Sequence, residues 1–362
     1  MNLGIDVRPL AYGITGNSRY LAETLQILIP RFPNIKFTFF SNKPIHPVFS
    51  DLLKNSNIIL VIETRKIPGP FYLHFILPRR ITQQKVDSFW ATLQLLPFRK
   101  LKIPSFVNYH DLNFISAPET MAKWNYFQHK LFSPRTLKNA DRIFCLSQNT
   151  QYEIGNHFPK QISKCVVIYP GVIRRKFKRE NRNFPPNFYL TIGTLEPRKN
   201  LQTHNNAFIN FKSLNPNDNH SLLILGRKGW GTEGDELYLY LQSNESKNNH
   251  IFFFENPNDD TLGQAIQDCE AFFFPSLHEG FGLPLLEAMI ENKRCIASDI
   301  PVFKEILEEK NDLYVSASSE KAWENAFHSA SQFLTTERSP KFNEENWTWN
   351  KTADLLQKEL FK

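Results

Sequence analysis

FPSLHEGFGLPLLEAM, residues 274–289, decides how the rest of the chain is read. The apolar run Ala271-Phe272-Phe273-Phe274 feeds a turn holding Glu279, Gly280, Phe281 and Gly282. A helix opens near Leu283, with Pro284 in its first turn, where a missing amide hydrogen costs nothing. Strand, glycine turn and helix start form an anion site, because bare amides and the helix dipole both favour negative charge. Glycines let the backbone come close to a ligand. Glu279 and Glu287, with seven residues between them, sit oddly beside such a site unless they touch hydroxyl groups. A helix-start carboxylate and a solvated one are the plain alternative; Gly280 and Gly282 favour the ligand.

At 362 residues the chain exceeds one typical core, so two domains are expected. The boundary falls in VIRRKFKRENRNFPPN, residues 172–187, a basic, polar stretch ending in two prolines. Apolar runs at 3–7, 36–40, 58–62, 87–91, 105–109, 142–146 and 165–168 precede it. Runs at 188–192, 221–225, 251–254, 271–274 and 294–297 follow it. Helical patterns separate many of them: Leu21, Leu25 and Leu28 share one face, and segments from Pro118 to about Ala140 and from Ser319 to Leu334 are helical. Strands alternating with helices predict parallel, doubly wound sheets, an α/β architecture. The tail is an amphipathic helix with Trp347, Leu355, Leu356 and Leu360 available to one face.

Charge is divided unevenly. Residues 1–175 hold 23 Lys and Arg against 9 Asp and Glu, the remainder 20 against 27, or +14 and −7. The first part suits nucleic acid, anionic lipid or an acidic substrate, and a solvated basic surface fits equally well. Cys145, Cys165, Cys269 and Cys295 lie far apart in or beside apolar runs, as buried thiols of a reducing compartment do. No signal peptide and no spanning helix are expected. No Asp-x-Asp pair, clustered ligand set, GxSxG or P-loop appears, so metal-site, serine hydrolase and P-loop readings lack support.

Two further turns carry chemistry. Gly193-Thr194-Leu195-Glu196-Pro197-Arg198-Lys199-Asn200 places two cations at a helix start, where they oppose the dipole and suit a diphosphate. His110-Asp111 follows a strand, where His110 suits a sugar hydroxyl or developing charge; a purely structural histidine is as good a reading.

These motifs together resemble the retaining nucleotide-sugar glycosyltransferases of the GT-B fold, family 4 (group 1), over nearly the whole chain. HEGFGLPLLEAM is similar to the family's two-glutamate motif and IGTLEPRKN to its diphosphate turn. VNYHDLNFISAPE is similar to its acceptor-side histidine loop, LLILGRKGW to the strand and turn around the nucleotide, and ENWTWNKTA to its closing signature. The resemblance implies two facing Rossmann-like domains with a cleft between them, at 1–175 and 176–340, and a helix at 341–362 returning to the first. It implies Glu279 at the donor sugar, Arg198 and Lys199 on the leaving diphosphate in place of a metal, Glu287 on ribose and His110 on the sugar. Gly280, Phe281, Gly282 and Leu283 would hold hydroxyls and phosphate by their amides. Gly16, Gly193, Gly226 and Arg227 would complete the donor site.

No cofactor or metal is expected, only a nucleotide diphosphate sugar as substrate. The combination of GTLEPRKN with GRKGW resembles that of family members using GDP-mannose, so the resemblance implies mannosyl transfer. The acceptor would be a glycan or lipid-linked glycan, met by a cytoplasmic protein resting on an anionic membrane, with no nucleic-acid partner. Ser18 stands where the family usually has a second glycine, and Asn292 and Arg294 where it tends to have glycine and proline. A sugar-nucleotide epimerase or phosphorylase, or a non-catalytic binding module, are the competing readings.

Overall fold

Parallel strands alternate with helices from the first residues onward. The computed structural model describes residues 1–174, 176–179, 184–307, 312–333 and 342–361. Parts of the expected linker at 175 and 180–183, the expected helix end at Leu334 and the expected boundary at 340–341 lie outside the described residues. The chain forms two compact units, Met1–Gly171 with Glu345–Lys362, and Val172–Glu344.

The first unit holds β1 (Asn2–Asp6), β2 (Lys36–Ser41), β3 (Ile58–Ile62), β4 (Ser88–Ala91), β5 (Ser105–Tyr109), β6 (Arg142–Cys145) and β7 (Cys165–Val167). Their order is β3-β2-β1-β4-β5-β6-β7, and every pairing is parallel. Central strands β1, β4 and β5 are almost wholly buried, their polar residues included, while edge strand β3 is partly exposed. The helix Gly16–Arg31 buries Leu21, Leu25 and Leu28.

The closing helix, Trp349–Leu360, belongs to this first unit. Trp349 meets Tyr20 edge-on at 5.9 Å, Phe361 meets Phe32 at 4.4 Å, and Asp354 pairs with Arg31 at 2.6 Å. The expected apolar face is corrected in one respect. The helix starts at Trp349, so the buried stripe is Trp349, Thr352, Ala353, Leu356 and Leu360. Leu355 points outward, and Trp347 precedes the helix and packs on Tyr169 at 5.1 Å.

The second unit holds β8 (Phe188–Leu195), β9 (Ser221–Lys228), β10 (Ile251–Glu255), β11 (Ala271–Phe274), β12 (Arg294–Ser298) and β13 (Leu313–Val315), again all parallel. The order is β10-β9-β8-β11-β12-β13. Strand β13 is an addition to the sequence reading. Phe273 and Phe327 stack at 4.5 Å in the middle of this core, with Tyr189 and Phe208 around them. Strand order reverses between β8 and β11, and loops at the carboxyl ends of such a pair are where ligands sit in open parallel sheets. In the first unit the reversal lies between β1 and β4.

Candidate active site

Both loops at the β8/β11 reversal are tightly built. After β8, Glu196 leads into the short 3₁₀ turn Pro197–Lys199 and then Asn200, whose φ of 54° is left-handed. Asparagine tolerates that backbone better than most residues. The Asn200 side chain donates to the Ala317 carbonyl at 2.6 Å, and the helix Leu201–Leu214 follows. After β11 comes 275–282, then the helix Leu283–Ile290 with Pro284 in its first turn and no side-chain cap. Gly282 has φ +123°, and a Cβ there would stand 3.0 Å from the Phe303 ring, so the backbone and the packing both require glycine. The Leu277 amide donates to the Arg198 carbonyl at 2.8 Å, which ties one loop to the other.

Charged side chains converge where the loops meet. Lys199 Nζ donates to Glu279 Oε1, Ser276 Oγ donates to the same oxygen at 2.8 Å, and Arg198 Nη1 lies 3.6 Å from Glu279 Oε2. Arg198 also donates to buried Glu196 through Nε at 3.0 Å and Nη2 at 2.8 Å. The Lys199 ammonium lies over the Phe274 ring, 5.2 Å from its centre. Two cations and two carboxylates thus share a largely buried cluster and balance one another. Burial alone would raise the Glu279 carboxyl; Lys199, then Arg198, outweigh it and hold the group below its ordinary value of 4.5.

That direction sets a pH dependence. A depressed carboxyl contributes stability that is present above its unfolded value and lost as pH falls through its folded one. The urea midpoint of the wild type should therefore exceed that of Glu279→Gln by a constant margin from pH 7 to about 5, with the margin shrinking only below the ordinary 4.5. A margin already shrinking near pH 6 would show a raised carboxyl instead.

Glu287 lies half-buried inside the second helix, and Gly280 and Phe281 are buried in the turn before it. Gly193 and Gly226 are register partners, and a Cβ on Gly226 would sit 1.9 Å from the Gly193 carbonyl oxygen. A Cβ on Gly193 would rest in ordinary contact with the Lys199 stem at 3.4 Å. Strand packing therefore accounts for glycine at Gly226. Arg227, next on β9, is exposed opposite Thr194.

His110 and Gly16 belong to the first unit. His110 follows β5 directly and is buried, its Nε2 bonded to the Thr92 carbonyl at 3.0 Å. Thr150 Oγ1 donates to the His110 carbonyl at 3.0 Å, and Thr92 Oγ1 donates to the Asp6 carbonyl at 2.5 Å. These bonds hold the ends of β1, β4 and β5 and the start of the helix after β6, Gln148–His157, together. Burial pushes the His110 imidazole down from its ordinary value, against the bond to Thr92 and the charge of Asp111. Gly16 begins the first helix, exposed. Ser18 forms a capping box with Thr15, its hydroxyl accepting from the Thr15 amide at 2.8 Å and Thr15 Oγ1 accepting from the Ser18 amide at 3.2 Å. That reciprocal cap explains a serine where the resembled family usually has glycine.

Among the described residues, no three His, Cys, Asp or Glu side chains converge as metal ligands, and no helix is long and apolar enough to cross a membrane.

Residues 172–343 match the family model described as glycosyl transferases group 1. They are a group 1 glycosyltransferase domain. All four charged residues of the cluster, Glu196, Arg198, Lys199 and Glu279, lie inside it. The O-antigen chain mannosyltransferase RfbU of Salmonella typhimurium is 27% identical over 262 residues, covering 68% of this chain and 70% of that protein. The serotype-specific mannosyltransferase WbdA of Escherichia coli is 33% identical over 174 residues, covering 48% of this chain and 21% of WbdA, so only about a fifth of that protein is matched. The crystal structure of Anabaena HepE in complex with UDP and glucose covers 100% of this chain and 99% of its own with a TM-score of 0.71 at 15% identity. That likeness concerns the fold, and both units together have the two Rossmann-like sheets of GT-B proteins.

The sequence singled out Arg198, Lys199 and Glu279, which the structure brings together, and left out Glu196 and Ser276. Both stand close in the chain to the residues they hold, two before Arg198 and three before Glu279. A carboxylate beside paired cations and a hydroxyl beside a lone glutamate were the available signals.

Proposed function

We propose that the protein is a retaining glycosyltransferase that moves a hexose, mannose from GDP-mannose, to a glycan or lipid-linked glycan acceptor during surface polysaccharide or glycolipid synthesis. The observation that carries this reading is the Arg198–Lys199–Glu279 cluster at the strand-order reversal of a group 1 domain. The choice of mannose is supported by the mannosyltransferase relatives RfbU and WbdA.

In this reading the acceptor oxygen bonds to the anomeric carbon on the face from which the phosphate leaves. The carbon–oxygen bond to the diphosphate breaks, and a departing phosphate oxygen takes the acceptor proton. Charge gathers on that diphosphate, and Arg198 and Lys199 exchange part of their hold on Glu196 and Glu279 for its oxygens. Fixed cations in a largely buried site stabilise such charge without a resident metal. Glu279 turns to the donor sugar, Glu287 to the ribose, and amides from Gly280 to Leu283 to what lies between. Gly193, Gly226 and Arg227 complete the donor site. The protein works in the cytoplasm, against the inner face of an anionic membrane.

The test is a donor screen by mass spectrometry, with GDP-mannose, UDP-glucose, UDP-galactose and ADP-glucose against a polyprenyl-linked glycan, followed by NMR of the product. Transfer from GDP-mannose with the donor's anomeric configuration kept is the expected result. An inverted product, or sugar phosphate released without transfer from every donor, would overturn the reading.

A further inference from the structure

The helix Lys123–Asn139 spans the crossover between β5 and β6 and buries only Ser133, Thr136 and Leu137. Its outward side is the apolar one. Trp124, Phe127 and Leu131 are 66%, 61% and 69% exposed, and their spacing of three and four puts them on one stripe. This reverses the usual arrangement, in which the apolar stripe faces the core. The helix also carries Lys123, Lys130, Arg135 and Lys138, all exposed, and no Asp or Glu.

Packed rings, running through the buried His74, link the helix to a second exposed aromatic pair. Phe132, on its flank, lies 4.1 Å from the His74 ring; His74 is 5.8 Å from Phe98, Phe98 5.7 Å from Phe75, and Phe75 4.9 Å from Phe71. Phe71 and Phe75 are each 49% exposed, and Arg99 lies over the Phe98 ring. Scattered exposed apolar side chains are ordinary, whereas an exposed stripe of large apolar side chains among cations, with a second exposed aromatic pair packed behind it, marks an interaction site.

We propose that this face of the first unit docks on an anionic lipid bilayer. Trp124, Phe127 and Leu131 enter the interface, and the four cations meet the head groups. Tryptophan with apolar neighbours suits the head-group boundary, and exposed lysines and arginines are drawn to an anionic surface. A second copy of the chain fits less well. A two-fold interface sets a surface against itself, and four cations without a carboxylate would then face four more.

Placement gives the docking a purpose. The helix starts at the carboxyl edge of the sheet, thirteen residues after His110, and Phe114 of the intervening loop lies 6.0 Å from His129 of the helix. A bilayer seated there keeps its head groups beside the edge that carries His110, where a lipid-linked acceptor would arrive. This part rests on the acceptor being lipid-linked.

The experiment is co-sedimentation of the full chain with vesicles of phosphatidylglycerol and phosphatidylcholine, and with phosphatidylcholine alone. The wild type should pellet with the anionic vesicles, less so as salt rises. The triple variant Trp124→Ser, Phe127→Ser, Leu131→Ser should partition at least tenfold less. The fourfold variant Lys123→Gln, Lys130→Gln, Arg135→Gln, Lys138→Gln should lose the preference for anionic lipid. Both variants alter exposed side chains, so circular dichroism and transfer to a water-soluble acceptor should match the wild type while transfer to a vesicle-borne acceptor falls. Equal pelleting of wild type and variants, no pelleting of the wild type, or a wild-type dimer that the triple variant dissolves would each overturn the docking face. Transfer to the soluble acceptor without vesicle binding would reject the docking and leave the transferase reading intact. Vesicle binding without any transfer would do the reverse.

Discussion

Lys199→Ala should lower kcat for sugar transfer by about 10²–10³-fold, the usual loss when one fixed group facing transition-state charge is removed. Lys199 is placed for this by its surroundings. Its stem crosses Gly193, its ammonium lies over Phe274, and its partner is the carboxylate that holds the site neutral before a donor arrives. The variant should still fold. Breaking a buried ion pair by truncation costs about 3–5 kcal/mol when the remaining charge is stranded. Glu279 is not stranded, because Arg198 at 3.6 Å and the Ser276 hydroxyl at 2.8 Å remain, so the loss should fall below that range. Steady-state kinetics with circular dichroism separates the two effects. Lys199→Arg, which keeps the charge and changes its shape, should recover part of the rate. Unchanged kcat in the alanine variant would remove Lys199 from the chemistry.

Trp349→Ala should destabilise the first unit by about 3–5 kcal/mol, the usual cost of emptying a large aromatic site. Total stabilities are only about 5–15 kcal/mol, so the effect is large. Trp349 opens the closing helix, buried against Tyr20. A Cβ on Gly171 would stand 2.2 Å from the Trp349 amide nitrogen, so the chain passes closely there. Around it, Thr352 donates to the Tyr169 carbonyl at 2.7 Å and Glu359 pairs with Arg142 at 3.0 Å. Urea unfolding, with hydrogen exchange read on β1 and β2, measures the loss. Protection equal to the wild type would show that the closing helix is dispensable to this unit.

The strands were legible because buried parallel strands are plain apolar runs, and β11, Ala271–Phe274, has no polar residue at all. Strand β13 was not, since three residues at a sheet edge with Leu313 exposed carry neither length nor pattern. The helical stretch from Gly69 to Gln83 was hidden by Pro70 and Pro78. Each proline falls in the first turn of a segment, where it does no harm, and a π-helical turn, Tyr72–Ile76, joins them. In the site, the cations and Glu279 stood out because each breaks a local rule, cations at a helix start and an acid in a glycine turn. At Gly226 the structure adds a reason for glycine that the local sequence does not carry, the close approach of the Gly193 carbonyl on the neighbouring strand. Which neighbour a glycine admits depends on pairing across 33 residues of chain, which no local pattern records.

The account rests on the Arg198–Lys199–Glu279 cluster as the seat of a donor diphosphate. Calorimetric titration of GDP into the wild type and Lys199→Ala, with a chelator present and with UDP and ADP in parallel, tests it most directly. The expected result is GDP binding that the chelator leaves unchanged and that the variant weakens at least tenfold. Equal affinity in both proteins, or no binding of any of the three nucleotides, would contradict it.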